Sequence, residues 1–427
     1  MHLRGIKEAR LKGKRVLVRV DFDVVVKNGL PEDDFRIKEN LPTIKYILKN
    51  GGLVRIMTHL GRPKGKIVQS LSMRKFVERL QDLLGRKVIF IQDPFNKDLF
   101  KKYDFSRDIV LFENIRFWPG EESNNFIFAK QLARWGDVYV NEAFADSHRT
   151  HASIISLPKI LPPYAGFRLE KEIIALSRFL KNPPKPFIAI MGGAKLETKM
   201  PLVEKFLQSA DYLLIAGALA NTVYYLKGLE IGKSTADRNF KIDSVVFKNK
   251  KIILPRDFLV ADKINPALFV GGCTLARSTA DKRCGVKVGA KHRISEVIKV
   301  GKNEYIVDIG PKSVKLFLRL LKGAKTIVWN GPLGFTEIPE FSKGTIALAK
   351  ALRKIKAFKV VGGGDTVAAL QKYNLLKGFN HVSTGGGAML EFLAGNKLPG
   401  IEVLKKIDSG NGVFKNVEIS QREVLTH

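Results

Sequence analysis

The stretch VVGGGDTVAAL, residues 360–370, places three glycines and an aspartate between an apolar run typical of a β-strand and a run typical of an α-helix. Further along, HVSTGGGAML, residues 381–390, repeats this arrangement with a threonine in front of the glycines. Glycine lets the backbone approach a ligand closely, and the start of a helix offers free N–H groups and the positive end of its dipole. Both junctions therefore predict strand-loop-helix units whose loops hold phosphate.

The same alternation of apolar runs and helix-like stretches extends along the chain and predicts repeated βα units. The runs that we assign to strands are residues 15–22, 52–59, 87–93, 108–114, 137–144, 186–193, 212–218, 251–257, 325–331, 358–364 and 380–386. Such continuous apolar runs suit parallel strands that helices cover on both faces. We therefore predict an α/β fold of two Rossmann-like, three-layer domains with mostly parallel sheets.

A hinge helix is predicted between the two series of strands. Residues 162–186, PPYAGFRLEKEIIALSRFLKNPPKP, carry apolar side chains at helical spacing and have prolines at both ends. We expect this helix to join a first domain, residues 1–170, to a second domain, residues 171–404. The C-terminal tail, residues 405–427, is expected to pack on the first domain.

Length and composition limit the class of protein. A chain of 427 residues is long enough for two domains, and its two cysteines, Cys273 and Cys284, indicate neither a disulfide framework nor a zinc site. No apolar run approaches the roughly 20 residues that a membrane span needs, and the first residues lack the apolar centre of a secretory signal. We therefore expect a cytoplasmic protein that does not span a membrane.

The net charge of +32, from 73 Lys and Arg against 41 Asp and Glu, is the unusual feature of the composition. It is consistent with steering of a polyanionic small substrate, with nucleic-acid binding, or with a basic surface that is merely solvated. We assign most of the excess to solvation, because charge bears on partners and solubility rather than on fold.

Charged side chains follow the predicted strands of the first half, where ligands of an open parallel sheet bind. They are Asp21, Asp23, Arg36, His59, Arg62, Arg116, His148, Arg149 and His151. A single arginine of this kind usually forms a surface salt bridge, but four at one edge predict a site for a small ligand with several negative charges. The histidines either hold loops together or bond the ligand.

Glycine-rich loops follow the predicted strands of the second half, in GGAKLETK, AGALANT, NGPLGFTE, GGGDT and STGGGA. Asp365 stands at a helix start, where it is either an N-cap or a ligand of Mg²⁺ that arrives with a nucleotide. Lys195 and Lys199 share one helix face and point either at the anion or into solvent. No candidate general base stands out, as expected for phosphoryl transfer to an oxygen that is already ionised.

These motifs closely resemble phosphoglycerate kinase. The resemblance runs in family order from LKGKRVLVRVDF through RIKENLPTI, THLGRP, ENIRF, HRTHAS, GGAKLETK, WNGPLG, GGGDT and STGGGA to LPG near residue 400. It implies Mg²⁺-dependent, reversible phosphoryl transfer from 1,3-bisphosphoglycerate to ADP, giving 3-phosphoglycerate and ATP. It also implies hinge closure of a glycerate-binding first domain on a nucleotide-binding second domain, in a chain that we expect to be a monomer.

The resemblance assigns roles residue by residue. It implies a glycerate site formed by Asp21, Asp23, Arg36, His59, Arg62, Arg116 and Arg149. It implies an ATP or ADP site formed by Gly193, Lys195, Lys199, Asn330, Glu337, Gly362, Gly363, Gly364, Asp365, Thr366, Gly385, Gly386 and Gly387, with Asp365 carrying the magnesium. The residues that it places at the migrating phosphoryl group are Arg36, Lys199, Gly363 and Gly386.

Two departures from the family pattern bear on activity. Asp23 stands where the family usually has asparagine, which puts an extra carboxylate beside an anionic substrate, and Glu142 replaces a more usual aspartate. The alternatives to the enzyme are a basic nucleic-acid-binding protein and a catalytically weakened relative of the same fold. The basic residues form no helix-turn-helix, RRM or zinc pattern, so we consider nucleic acid an unlikely partner.

Overall fold

A computed structural model describes residues 3–27, 30–31, 34–96, 98–99, 105, 108–193, 196–240, 244–262 and 291–405. Lys195, both cysteines and the tail beyond residue 405 lie outside these ranges. None of the helices in the described part is long and apolar enough to cross a membrane.

The first half is built on a six-stranded parallel sheet. Its strands, with a short hairpin beside it, are β1 (Arg15–Arg19), β2 (Val26–Lys27), β3 (Leu30–Pro31), β4 (Leu53–Met57), β5 (Val88–Ile91), β6 (Ile109–Phe112), β7 (Val138–Asn141) and β8 (Pro163–Ala165). The strand order is β5-β6-β4-β1-β7-β8. The helices of this half are α1 (Phe35–Lys49), α2 (Val77–Leu84), α3 (Pro119–Glu122) and α4 (Phe126–Ala133).

A connecting helix, α5 (Phe167–Ser177), spans the predicted domain boundary. Its first turn is anchored to the first half, because the backbone N–H groups of Arg168 and Leu169 donate to the carboxylate of Glu142. Glu142 is fully buried, and burial raises its pKa to about 7 against the opposing hydrogen bonds from Thr43 and Arg168. The domain bounds themselves stay a prediction.

The second half contains another six-stranded parallel sheet, of order β11-β10-β9-β15-β16-β17. The strands of this half are β9 (Phe187–Met191), β10 (Tyr212–Ile215), β11 (Ile252–Ile253), β12 (Asp257–Ala261), β13 (His292–Glu296), β14 (Tyr305–Ile309), β15 (Thr326–Asn330), β16 (Phe358–Gly362) and β17 (His381–Val382). Its helices are α6 (Leu196–Ser209), α7 (Gly217–Leu226), α8 (Pro311–Leu321), α9 (Lys343–Leu352), α10 (Gly364–Lys372), α11 (Gly386–Leu393) and α12 (Pro399–Glu402). The two parallel sheets with their helices confirm the predicted fold class.

The predicted runs do not include β2, β3, β13 and β14, and the strand assignments differ in two further places. The run 251–257, predicted as one strand, is divided at Pro255: β11 joins the parallel sheet, whereas β12 begins a separate antiparallel sheet of order β13-β12-β14. Proline lacks the N–H that a ladder needs, which explains the break. Residues 163–165, which the sequence pattern places within the hinge segment, form β8 at the edge of the first sheet.

The segment that follows α11 returns to the first half. The backbone N–H of Gly400 donates to the carbonyl of Ser147 at 2.8 Å, and Lys405 forms a bridge to Leu3. The side chain of Asn141 donates to the carbonyl of Gly400 at 3.3 Å. The end of the second half thus lies against the first half at the carboxyl end of β7.

Candidate active site

A fully buried ion cluster lies under the carboxyl ends of β1, β4 and β7. Asp146 accepts hydrogen bonds from Arg19 at 2.8 Å and from Arg116 at 2.9 Å, and His59 Nδ1 lies 3.2 Å from the same carboxylate. Burial acts to raise the pKa of Asp146, but His59, Arg19 and Arg116 together hold it well below its usual range. The cluster fixes His59 and Arg116 in place beneath the predicted anion site.

Sequence analysis missed Arg19 and Asp146. A charged residue inside a buried apolar run was the available signal, because an arginine that must lie in a sheet core needs a buried partner. Arg19 stands in such a run, and its side chain is fully buried.

The substrate-side aspartates have different partners. Asp21 is buried and accepts a hydrogen bond from Arg36 at 2.9 Å. Burial raises the pKa of Asp21, and the guanidinium of Arg36 opposes this rise. Asp23 accepts a hydrogen bond from the backbone N–H of Gly61 at 2.9 Å, and its other carboxylate oxygen lies 3.9 Å from His59.

Arg62 and Arg149 are exposed, and neither side chain has an ion pair or a hydrogen bond with another described residue. Arg62 follows β4 and Arg149 follows β7, so both stand at the same edge of the sheet as Arg36 and Arg116. Two free guanidinium groups beside two that are already held provide the charge that a polyanionic ligand requires.

The histidines of this edge are neutral at neutral pH. Burial lowers the pKa of His59 to about 3, even though the carboxylate of Asp146 acts to raise it. Burial likewise lowers the pKa of His151 to about 4, and Arg116 adds to the effect. These rings therefore act as hydrogen-bonding groups, and the positive charge of the edge comes from the arginines.

The first triglycine loop of the second half combines tight packing with open space. A Cβ atom at Gly362 would overlap the side chain of Met389, and Gly363 has a φ of +96°, which favours glycine. A Cβ atom at Gly364 would meet nothing within 4 Å. Asp365 stands in the first turn of α10 with an exposed side chain, and it does not cap the helix.

The second triglycine loop also combines a tightly packed glycine with a glycine that faces open space. A Cβ atom at Gly385 would overlap the ring of Phe144, whereas one at Gly386 would meet nothing within 4 Å. In both loops, therefore, the earlier glycine is required by packing, and the glycine that begins the helix faces open space. An N–H group at such a position is free to bind an anion.

Polar side chains surround these loops. Thr366 is fully buried and accepts a hydrogen bond from the backbone N–H of Gly331 at 2.9 Å, which ties the loop after β15 to α10. The Nδ2 atom of Asn330 is buried and has no hydrogen-bond partner among the described residues. Gly193 has a φ of +75° and donates its N–H to the carbonyl of Pro332, while Glu337 is exposed in the loop that follows β15.

Lys199 lies on α6 and is nearly fully buried, with its ammonium group donating to the carbonyl of Gly192. Burial lowers the pKa of Lys199 to about 8, and the carboxylate of Asp365 opposes this decrease. The loop after β9 that Lys199 bonds is in turn tied to the end of β15, because the backbone N–H of Gly192 donates to the carbonyl of Asn330 at 2.9 Å. Lys195, the predicted neighbour of Lys199, lies outside the described residues.

The two sets of residues meet at the second triglycine loop. The Nε2 atom of His148 lies 3.3 Å from the position that a Cβ atom would take at Gly387, and the rings of Phe144 and Phe392 are in edge contact. The arginine edge of the first half therefore borders a glycine loop of the second half.

A buried carboxylate on α5 holds the base of the same loop. Glu172 accepts hydrogen bonds from Arg168 at 2.8 Å and from the backbone N–H of Thr384 at 2.8 Å, and it lies 2.7 Å from His381 Nε2. Arg168 also donates to Glu39 on α1, the helix that carries Arg36. Sequence analysis identified α5 but gave no role to Glu172.

Comparisons with known proteins match this chain to one family over almost its whole length. A sequence model of the family described as phosphoglycerate kinase matches residues 6–396. The phosphoglycerate kinase of Dictyoglomus turgidum is 40% identical over 410 residues, which cover 94% of this chain and 98% of the relative. That of Moorella thermoacetica is 39% identical over 407 residues, covering 93% and 98%.

Solved structures give the same answer. The phosphoglycerate kinase of Coxiella burnetii aligns with a TM-score of 0.77 and 38% identity, covering 94% of this chain and 99% of that chain. The enzyme of Pyrococcus horikoshii OT3 aligns with a TM-score of 0.80 and 30% identity, covering 94% and 98%. With this agreement in sequence and in fold, the chain belongs to the phosphoglycerate kinase family.

Proposed function

We propose that this family member performs Mg²⁺-dependent, reversible phosphoryl transfer from 1,3-bisphosphoglycerate to ADP, with the glycerate ligand on the first half and the nucleotide on the second. Membership of the family makes the chain a phosphotransferase of glycolysis. The observation that supports this division of labour is the contact between His148 and Gly387, which joins an arginine-lined edge to a glycine loop with free N–H groups.

The glycerate ligand is an anion at both ends, with a carboxylate and a phosphate. We assign its recognition to Arg36, Arg62, Arg116 and Arg149, with His59, Asp21 and Asp23 as hydrogen-bonding groups. Arg62 and Arg149 supply unpaired charge, and Asp21 keeps Arg36 oriented through its 2.9 Å hydrogen bond. A guanidinium fork is suited to both carboxylate and phosphate oxygens.

The nucleotide phosphates are assigned to the N–H groups of Gly363, Gly364, Gly386 and Gly387, with Lys195, Lys199, Asn330 and Thr366 around them. The open space at Gly364 and Gly386 and the unpartnered Nδ2 of Asn330 fit such a ligand. Gly193, Gly362 and Gly385 shape the loops, and Glu337 is assigned to the ribose.

The residues present fit a magnesium ion that arrives with the nucleotide. Asp365 is an exposed carboxylate at the start of α10, and the described residues contain no cluster of three or more metal-ligating side chains. Mg²⁺ commonly binds through one or two carboxylates together with substrate phosphates. When bound, it neutralises charge on the phosphates, and Asp365 would hold it.

The reaction needs no proton transfer. In the ATP-forming direction, an oxygen of the ADP β-phosphate forms the new bond to phosphorus while the bond from phosphorus to the acyl oxygen breaks and leaves a carboxylate. Nucleophile and leaving group are both anions, so the residues act by positioning and by neutralising charge on the migrating group. We assign that neutralisation to Arg36, Lys199 and the N–H groups of Gly363 and Gly386.

Transfer between two halves requires that the ligands approach one another. We propose that α5 is a hinge, since its N-terminus is held by Glu142 of the first half and its Glu172 holds the loop of the second half. A monomeric, cytoplasmic enzyme is part of the same proposal, because each chain carries both sets of residues and the family's substrates belong to glycolysis.

A coupled assay with ATP, Mg²⁺ and 3-phosphoglycerate tests this function. Wild-type protein should turn over, and Lys199→Ala should lower kcat by about 10²–10³-fold, the usual effect of removing one group that stabilises transition-state charge. Lys205→Ala, on the same helix α6, is the matched control and should stay within about twofold. Absence of turnover in folded wild-type protein, or full activity of Lys199→Ala, would contradict the proposal.

A further inference from the structure

The second sheet has an edge that the proposed function does not use. All its strands are parallel, so their N-terminal ends lie together, opposite the glycine loops. The segments that lead into these strands are residues 178–186, 210–211, 248–251, 322–325, 353–357 and 373–380. We call them together the basic edge.

Cations dominate this edge. They are Arg178, Lys181, Lys185, Lys248, Lys250, Lys251, Lys322, Lys325, Arg353, Lys354, Lys356 and Lys377. Asp211 is the one acidic residue within the six segments, and it already binds the ammonium group of Lys185 at 3.1 Å and the backbone N–H of Phe187 at 2.6 Å. The charge of the basic edge is therefore almost uncompensated.

Most of these cations are free to bind a ligand. Lys322, Lys325, Arg353 and Lys354 are exposed, and none has a hydrogen bond or an ion pair from its side chain to a described residue. Lys251 is an exception, because its ammonium group donates to the carbonyl of Leu207 at 2.7 Å. Like charges held close together repel one another, and a bound polyanion would relieve that repulsion.

Aromatic rings lie among the cations. The guanidinium of Arg178 lies 4.4 Å from the centre of the Phe358 ring, and Tyr212 is 36% exposed at the start of β10. Tyr212 lines an open depression of about 580 Å³ together with Pro186, Asp211, Lys250 and Lys251. Cationic grooves with accessible aromatic rings are the common device for binding single-stranded nucleic acid, whose bases stack on the rings.

From this placement we propose that the basic edge binds single-stranded nucleic acid, as an activity separate from phosphoryl transfer. An anionic membrane is the less suitable partner, because surface binding to lipid also needs apolar side chains to insert. The most exposed large aliphatic and phenyl side chains, Ile67, Phe126, Ile127, Ile174 and Ile294, belong to other segments of the described chain.

The basic edge lies at the opposite end of the sheet from the proposed nucleotide site. Nucleotide would bind beyond the carboxyl ends of the strands, and nucleic acid would bind beyond their amino ends. The two ligands are therefore compatible, and a saturating oligonucleotide should leave kcat and KM for ATP unchanged within about twofold.

The experiment measures fluorescence anisotropy of a labelled single-stranded oligonucleotide, as RNA and as DNA, with full-length protein. The test variant carries Lys322→Gln, Lys325→Gln, Arg353→Gln and Lys354→Gln. The control removes equal charge from exposed sites of the first half, with Lys45→Gln, Lys49→Gln, Lys130→Gln and Lys159→Gln. Coupled activity and thermal unfolding of both variants establish that each is folded.

We expect the test variant to bind at least about tenfold more weakly, and the control to remain within about twofold of wild type. The slope of log affinity against log salt should decrease by up to about 3 in the test variant, at roughly 0.7 for each phosphate that the protein no longer neutralises. Equal weakening in both variants, or no binding by wild type, would show a merely solvated basic surface. Binding to anionic lipid vesicles in place of oligonucleotide would overturn the choice of partner.

Discussion

The charge of Lys199 is expected to change with pH near pH 8. Burial lowers the pKa of this side chain to about 8, against the opposing effect of Asp365. The free enzyme therefore loses the positive charge as pH rises through about 8, and kcat/KM for ATP should fall there. A bound phosphate beside the ammonium group raises its pKa again, so kcat should persist to higher pH than kcat/KM.

Profiles of kcat and kcat/KM over about pH 6.5 to 9.5 measure this difference. Lys199→Arg is the control, because a guanidinium stays charged over the whole range and should shift the fall to higher pH. Superimposable kcat/KM profiles for the two proteins would contradict the assignment of Lys199.

Asp23 adds a carboxylate to a site for an anion. Its Oδ1 accepts the N–H of Gly61, a bond that an asparagine oxygen also makes, so Asp23→Asn removes charge and keeps the hydrogen bond. We predict a KM for 3-phosphoglycerate lower by about three- to tenfold, which corresponds to about 1 kcal/mol of repulsion. Asp82→Asn, an exposed change on α2, is the control; an unchanged or higher KM in Asp23→Asn would refute the prediction.

The sequence predicted which arginines stand at this edge of the sheet, but not the buried charged residues beneath them. The four arginines follow successive strands, and that position alone brings them to one edge. Arg19 and Asp146 were not predicted, because their role depends on partners far along the chain, which no local pattern reveals. The neutral state of His59 likewise follows from burial, which the sequence does not show.

At the scale of elements, the two triglycine junctions separate packing from ligand binding. Gly385→Ala would overlap the Phe144 ring and disturb the contact of α11 with the first half, so we expect a decrease of about 1–3 kcal/mol in the free energy of unfolding. Gly386→Ala has open space and should leave that free energy within about 0.5 kcal/mol.

The same two variants, Gly385→Ala and Gly386→Ala, are also compared by their activity, where the larger direct effect is expected at Gly386. Gly386→Ala should raise KM for ATP or lower kcat by about tenfold or more, because its methyl group enters the space assigned to phosphate. Urea unfolding and steady-state kinetics of both variants measure the two effects. Full activity of the Gly386→Ala variant would contradict the assignment of a nucleotide phosphate to this loop.

Most strands could be predicted because buried parallel strands leave continuous apolar runs. β8 could not, since its three residues, Pro163–Ala165, are too short for a pattern. The division of 251–257 into two strands of different sheets depends on Pro255 and on the pairing of β12 with β13 and β14. Such pairing is a tertiary effect that outweighs the local preference.

At the scale of the whole molecule, Arg168 and Glu172 on α5 link α1 of the first half to β17 and to the second triglycine loop. Arg168 donates to Glu39 on α1 and to the carbonyl of Val382 on β17, and Glu172 binds Thr384 just before the second triglycine loop. These contacts give the two proposed ligand sites a short connection through α5.

Glu172 is the contact whose removal tests this arrangement. Burial acts to raise its pKa, but Arg168 and His381 lower it to about 2, so its stabilising effect is complete above about pH 4.5 and is lost as pH falls toward 2. Glu172→Gln should lower the free energy of unfolding at pH 7 by about 3 kcal/mol, and by much less near pH 2, as measured by urea unfolding. Glu204→Gln, exposed on α6, should change neither value. Equal stability of Glu172→Gln and wild type at pH 7 would mean that this network does not hold the halves together.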